Sequence, residues 1–397
     1  MKKLGLLPRI LIAIALGIAI GTISPTWLVE VFATFNSLFG NFLGFAIPLI
    51  IIGFIAPGIG TMGKGAGKLL GLTTFIAYSS TVLAGLLAFF AAKGLYPTIL
   101  ANQTSQAFEN PEEALAKALF TVDMPPVMGV MTALLISFTL GLGMASLKGD
   151  RLLNVMNEFR DIVEKVIEKI IIPLLPLHIF GIFANMTYGG QVGAIMSVFA
   201  KVFIMIIALH ILYLMIQYTI AGSARKQNPF NMIKNMFPAY FTALGTQSSA
   251  STIPVTLEQT KKMGVREKIA DFSVPLLATI HLSGSTITIV SCAMAVMVIQ
   301  GETATLGTIL PFILMLGVTM IAAPGVPGGA VMAALGLLES MLGFNSTMVS
   351  LMIALYLAQD SFGTACNVTG DGAITALTDK LMKKDKKPTK QTQQQAS

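Results

Sequence analysis

Long apolar runs joined by short polar, mostly basic connections dominate the chain. The first ends near Ser24, and others cover Val31 to Ile59, Leu69 to Phe90, Pro126 to Leu147, Ile170 to Asn185 and Val192 to Ala221. A transmembrane helix needs about 20 mostly apolar residues, and these runs predict six spans. The first opens on Lys2 and Lys3 like a signal peptide. It runs long, shows no small-residue cleavage site and precedes further spans, so it predicts a retained helix. The stretch Arg151 to Lys169, rich in Glu and Lys, predicts that the fifth helix begins in the cytoplasm. The segment Tyr96 to Asp123, with Glu109, Glu112 and Glu113, predicts an exposed outer loop.

The second half is interrupted differently. Phe230 to Leu257 is apolar at both ends around Thr246-Gln247-Ser248-Ser249-Ala250-Ser251-Thr252. Leu306 to Leu342 is apolar around Ala323-Pro324-Gly325-Val326-Pro327-Gly328-Gly329. Irregular backbone at membrane depth survives only against protein or a water-filled cavity. Each segment therefore predicts a re-entrant pair of half-helices, and two such segments point to a secondary transporter with inverted repeats. Between them, Ile269 to Ile299 is broken at its centre by Thr279, His281, Ser283, Gly284 and Ser285. A last helix is expected over Met348 to Leu381. The fold class is an all-α membrane protein of eight transmembrane helices plus two re-entrant hairpins.

Composition supports this. Hydrophobic residues make up 54% and charged residues 11%, against about 25% charged in soluble domains. That excludes a soluble enzyme, a disordered regulator and a nucleic-acid module, and no nucleic-acid partner is expected. The formal charge of +7 sits in clusters between spans. Lys64 with Lys68, Lys148 with Arg151, Arg225 with Lys226, and Lys261 to Lys268 all fall on one side of an eight-span count. Lys2, Lys3 and the tail from Lys380 to Lys390 share that side, which the positive-inside rule makes cytoplasmic. Both termini are then cytoplasmic, in the inner membrane. Cys292 and Cys366 lie in apolar runs and imply no disulfide framework.

The last helix carries the sharpest chemistry. Asp360, Thr364, Asn367 and Asp371 recur at helical spacing and predict one polar face. A charge at membrane depth costs about 2.5–3.5 kcal/mol on insertion scales and marks function by default. Eleven residues at about 1.5 Å rise hold the two aspartates roughly 16 Å apart. That rules out a shared-proton proteolytic dyad and suits separate stations for substrate and cation. The Ser-rich tip offers hydroxyls and half-helix N–H groups to an anion. His281, among Thr279, Ser283 and Ser285, is a candidate for proton exchange, whereas His178 and His210 read as packing residues.

These residues resemble the dicarboxylate/amino acid:cation symporters, the glutamate transporter-like family. The resemblance runs from the first helix to about Lys380. Its specific parts are the Ser-rich tip ending in Thr252-Ile253-Pro254-Val255-Thr256, the string Pro324-Gly325-Val326-Pro327-Gly328, and Asn367-Val368-Thr369-Gly370-Asp371. It implies a homotrimer with an elevator mechanism. Scaffold helices 1 and 2 would occupy residues 1–66, with the external loop and scaffold helices 4 and 5 in 96–190. The mobile core would comprise helix 3 (67–95), helix 6 (191–228), hairpin 1 (229–260), helix 7 (261–301), hairpin 2 (302–344) and helix 8 (345–383), before a basic tail (384–397).

The resemblance also implies site roles. Asn367, Ser248 and Ser249 would hold an α-carboxylate, Asp360 an ammonium, and Thr364 would line the side-chain pocket. Gln247, Ser285, Val326, Gly329 and Ala330 would complete the site. Acidic-substrate carriers of the family place an arginine where this chain has Gly363, and Gln247 and Tyr356 supply none nearby. Retained Asp360 without that arginine resembles the serine/threonine branch and implies a neutral amino acid, with a dicarboxylate or acidic amino acid as the alternative. Na+ is the expected coupling ion, H+ the alternative. One cation site would use Asn367, Asp371 and carbonyls near Leu277 and His281; a second Thr279, Leu282, Met320, Ile321 and Ala323. A third would draw on Tyr78, Ser79, Ser80, His281 and Ser283, with Ser283 standing where the family has an aspartate.

Overall fold

The computed structural model describes residues 6–62, 67–100, 115–190, 192–321, 323 and 327–382. Among them every regular element is helical. Helix α1 spans Leu6–Gly21, α2 Thr26–Met62, α3 Gly67–Ile99 and α4 Val130–Ser146. Helix α5, Arg151–Val166, continues through a π-helical turn, Ile167–Ile171, into α6, Ile172–Tyr188. Helix α7 spans Val192–Arg225, and the pair α8 (Pro229–Thr246) and α9 (Ser249–Lys262) follows. Then come α10 (Glu267–Ile280), α11 (Ser283–Ile299), the pair α12 (Leu306–Met320) and α13 (Gly329–Leu342), α14 (Ser346–Leu357) and α15 (Asp360–Leu381).

Five rods are long and apolar enough to cross a membrane: α2, α3, α5–α6, α7 and α10–α11. The bent pair α14–α15 makes a sixth if counted as one span, while α1, α4, α12 and α13 are apolar but shorter. The α10–α11 rod is 94% buried in its most apolar window, so it lies inside the protein.

Two groups of helices result. In one, α2 packs on α4, α5 and α6, and α1 lies along α6. A Cβ on Gly21 would sit 2.4 Å from the Ala184 carbonyl, so glycine is what lets α1 approach α6 this closely. In the other, α15 is surrounded by α7, α8, α9, α10 and α11, and α3 lies against α11. One end of this group is clasped by Asp379. Arg225 Nη1 reaches its Oδ2 at 2.5 Å and Arg266 Nε its Oδ1 at 2.5 Å. Arg225 also donates to the Gly264 carbonyl, and Arg266 to the Met382 carbonyl. Both guanidiniums thus tie the end of α7 and the α9–α10 turn to the end of α15.

The structure changes two sequence expectations. The outer loop does not begin at Tyr96: α3 continues to Ile99, and the Tyr96 hydroxyl donates to the Ser291 carbonyl at 2.7 Å. That bond draws the last turn of α3 inside. The last span is not one straight helix. It bends by 60° between Leu357 and Asp360, so Asp360 opens α15 instead of sitting mid-helix. Lys2, Lys3, Lys64, Glu109, Glu112, Glu113, Pro324, Gly325, Val326 and the chain beyond Met382 lie outside the described residues.

Candidate functional site

The two interrupted segments turn through left-handed residues. Helix α8 ends at Gln247, whose φ is +54°, and Ser248 is extended and accepts the Ser251 N–H to cap α9. A non-glycine residue in that conformation costs on the order of 1–3 kcal/mol and persists where surroundings fix it. Gly328, with φ +77°, opens α13; a Cβ there would lie 2.8 Å from Leu357.

Both tips meet α15 at a small cavity of about 20 Å³, roughly the space of one water. Gln247, Ser249, Ser285, Ala323, Ala330, Asp360, Thr364 and Asn367 line it, with Tyr356, Ala278 and Leu282. Among the described residues Asp360 is its one carboxylate, and no Lys, Arg or His joins it. Asp360 Oδ2 accepts the Gly328 backbone N–H at 2.7 Å. Tyr356, fully buried, donates to Ser285 Oγ at 3.1 Å. Asn367 Oδ1 accepts the N–H groups of Gly284 at 2.7 Å and Ser285 at 3.2 Å, and its Nδ2 donates to Ser285 Oγ at 3.0 Å.

Four helices begin at this cavity. Ser249 is the first residue of α9, Ser285 the third of α11, Ala330 the second of α13 and Asp360 the first of α15. Each helix start carries roughly half a positive charge, although at α11 the N–H groups of Gly284 and Ser285 are already taken by Asn367 Oδ1. The cavity therefore joins one negative side chain to convergent positive backbone. That arrangement can hold an ammonium and a carboxylate of one small zwitterion.

The other predicted residues divide. Ser248 caps α9 but does not line the cavity. Gly329 is the first residue of α13, behind Ala330. Gly363 is not in the lining: its face meets the start of α11, and a Cβ on Gly284 would lie 2.5 Å from the Gly363 carbonyl. Gly284 thus serves close α11–α15 packing, and Gly363 leaves the site without a cation. Val326 is outside the described residues.

The second station is a buried network around Asp371. His281, expected both for a carbonyl near one cation site and for its ring, brings the ring to this network: Nδ1 meets Asp371 Oδ1 at 2.9 Å. Its Nε2 meets Ser80 Oγ at 3.0 Å and Gln217 Nε2 at 3.3 Å. Gln217 Nε2 also donates to Ser80 Oγ at 3.0 Å, and the Tyr213 hydroxyl donates to the Ser80 carbonyl at 2.5 Å. Of the expected trio on α3, only Ser80 joins. Tyr78 points the other way and donates to the Leu314 carbonyl of α12 at 3.3 Å, and Ser79 has no part in the network. Ser283 Oγ is buried without a hydrogen-bond partner among the described residues. Leu277 is buried and its carbonyl accepts the His281 N–H at 2.9 Å.

The second cation set is partly assembled. Ile321 packs against Leu277 and Ile280, Met320 is buried, and Leu282 and Ala323 line the cavity. Thr279 is exposed and its hydroxyl donates to the Leu276 carbonyl at 2.7 Å, which leaves its own carbonyl as the group expected in this set.

Sequence reasoning missed Gln217 and Tyr213, and passed over His210. His210 Nε2 donates to the Gly284 carbonyl at 3.0 Å, bracing the start of α11. The signal was present. His210, Tyr213 and Gln217 recur at helical spacing within an otherwise apolar run. His178 bridges the Asn36 side-chain amide, which donates to Nδ1, and Ser350 Oγ, both at 3.1 Å, beside a larger cavity of about 360 Å³. Among the described residues Lys117 is that cavity's one charged lining residue.

Comparison with known proteins is consistent with a transport site. The profile described as the sodium:dicarboxylate symporter family matches residues 6–381. Similar proteins include the serine/threonine transporter SstT of Acinetobacter baumannii strain AYE, 26% identical over 392 residues, covering 95% of this chain and 97% of that one. SstT of strain SDF is 27% identical over the same extent. With the apolar rods described above, the match makes the chain a multi-pass membrane transporter and not an enzyme: it belongs to the sodium:dicarboxylate symporter family.

Proposed function

We propose that this chain is a secondary active symporter that uses a Na+ gradient to take up a small neutral amino acid of the serine, threonine or alanine kind. One observation carries the reading: among the described residues the cavity between the two tips holds a single carboxylate, Asp360, and no cationic side chain. Asp360 takes the substrate ammonium. The starts of α9, α11, α13 and α15, with Asn367, take its carboxylate. A second substrate carboxylate would lack a charged partner, and leaving a charge buried and unpaired costs several kcal/mol. The names of the A. baumannii relatives support the same substrate class.

The cavity of about 20 Å³ is too small for an amino acid. Entry therefore requires Gly328 to release Asp360, so that the ammonium exchanges with the backbone N–H. The start of α13 is the gate in this reading, and Asp360 is both latch and binding group. Eight spans with both termini in the cytoplasm of an inner membrane, two re-entrant pairs, a homotrimer and an elevator movement complete the proposal. The packing of α7 to α11 and α15 into one group, apart from α1, α2, α4 and α5–α6, supports a mobile core against a scaffold.

A dicarboxylate or acidic amino acid, driven by Na+ or H+, is the second reading, favoured by the family description and the convergent helix starts. Uptake of labelled serine, threonine, alanine and aspartate into proteoliposomes, with and without an inward Na+ gradient, separates them. Na+-driven accumulation of a neutral amino acid with aspartate excluded is expected. Aspartate accumulation would select the second reading, and uptake indifferent to Na+ would overturn the coupling.

A further inference from the structure

Cation binding at an aspartate requires oxygen acceptors around the metal. Asp371 offers two carboxylate oxygens, and the structure treats them differently. Oδ1 is held by the His281 ring at 2.9 Å. Oδ2 has no hydrogen-bond partner among the described residues. A neutral imidazole facing a carboxylate through Nδ1 carries its hydrogen there, so Nε2 is an acceptor. Gln217 Nε2 and Ser80 Oγ both stand at Nε2, the groups able to donate to it. The ring is thus gripped at both nitrogens, between α3, α7 and α15, and is 1% exposed. Gly370 is what admits it: a Cβ there would lie 2.9 Å from His281 Cε1 and 2.8 Å from Gln217 Oε1.

Given the Na+-coupled reading above, the geometry points to His281 as a resident substitute for one coupling cation. Its ring N–H satisfies Asp371 Oδ1 where a metal would otherwise sit, and Gln217 is the positioning residue that keeps it there. Asp371 then has one oxygen, Oδ2, for a transported cation, and this centre takes one Na+ per cycle. Ser283, with an unpaired hydroxyl and no charge, supplies no second carboxylate for another.

The test is the coupling ratio of 22Na+ to labelled L-serine in proteoliposomes. His281→Asn replaces the ring with a smaller group bearing an acceptor oxygen. The ratio is expected to rise by one over the wild type, and Gln217→Leu, which frees the ring, to change the Na+ dependence without changing the serine selectivity. An unchanged ratio in a transporting His281→Asn protein would overturn the inference. Should that variant fail to fold, 15N-histidine NMR of the wild type decides. Retention of the His281 Nδ1–H signal at saturating Na+ is expected, and its loss would mean that Na+ displaces the ring. If the wild type shows no Na+-driven serine uptake at all, the functional reading fails instead, and the NMR titration still reports on the ring.

Discussion

Gly328 donates its backbone N–H to Asp360 at 2.7 Å, joining the start of α13 to the start of α15. The bond crosses from a tip to the floor of the site, and it can break without unfolding either helix. It predicts that Asp360→Asn weakens both closure and substrate binding. Removing one partner of a buried charged pair costs about 2–5 kcal/mol, a thirty-fold loss or more in serine affinity. Serine-protection assays on the purified variant check this, with Asp360→Glu retaining more affinity than Asp360→Asn.

Substrate charge is expected to follow position 363. A Cβ there would meet Ser285 N at 3.5 Å, an ordinary contact, so a longer side chain can start without a clash. Gly363→Arg is expected to lower serine uptake and to raise aspartate uptake above background. Competition of labelled serine by aspartate measures the switch; no gain in aspartate competition would count against the charge argument.

Helix contact at 284 leaves no such room. A Cβ would sit 2.5 Å from the Gly363 carbonyl and 2.6 Å from Cys366 Cβ. Overpacking of this kind costs about 1–3 kcal/mol. Gly284→Ala is expected to lower the thermal unfolding midpoint and to reduce transport, because the Asn367 bonds to α11 shift with it.

At the clasped end, Asp379 is 8% exposed and serves two arginines. Losing one partner of a buried pair costs about 3–5 kcal/mol. Arg266 retains contact with solvent and with two carbonyls, so the loss in Asp379→Asn belongs near the bottom of that range. A lowered unfolding midpoint with serine affinity unchanged is the expected result.

Much of this was legible in sequence because polar residues inside apolar runs have few uses. Asp360, Asn367, Asp371 and His281 stood out for that reason, and the polar and Gly/Pro centres marked both broken segments. The bend before Asp360 was not legible: Ala358 and Gln359 carry no glycine or proline, and the turn depends on tertiary contacts. Tyr96 was read as loop because it opens the polar segment that runs to Asp123; its hydroxyl bond to α11 is a long-range fact. His281 was singled out both for a carbonyl near one cation site and for its ring, but the ring's partners come from α3, α7 and α15 and are long-range facts. Gln217 hid in a helix that looked ordinary.

The meeting of four helix starts at one cavity has a consequence for how the protein varies. In the proposed reading, recognition of the substrate's negative end resides, beside Asn367, in peptide groups, which every amino acid except proline supplies. Changing Ser249 or Ser285 to alanine removes one hydroxyl, about 0.5–1.5 kcal/mol, and leaves the rest of that recognition intact. Its positive end depends on the lone Asp360. The two halves of the substrate are therefore held with unequal robustness: one is written in the course of the main chain, the other in a single codon.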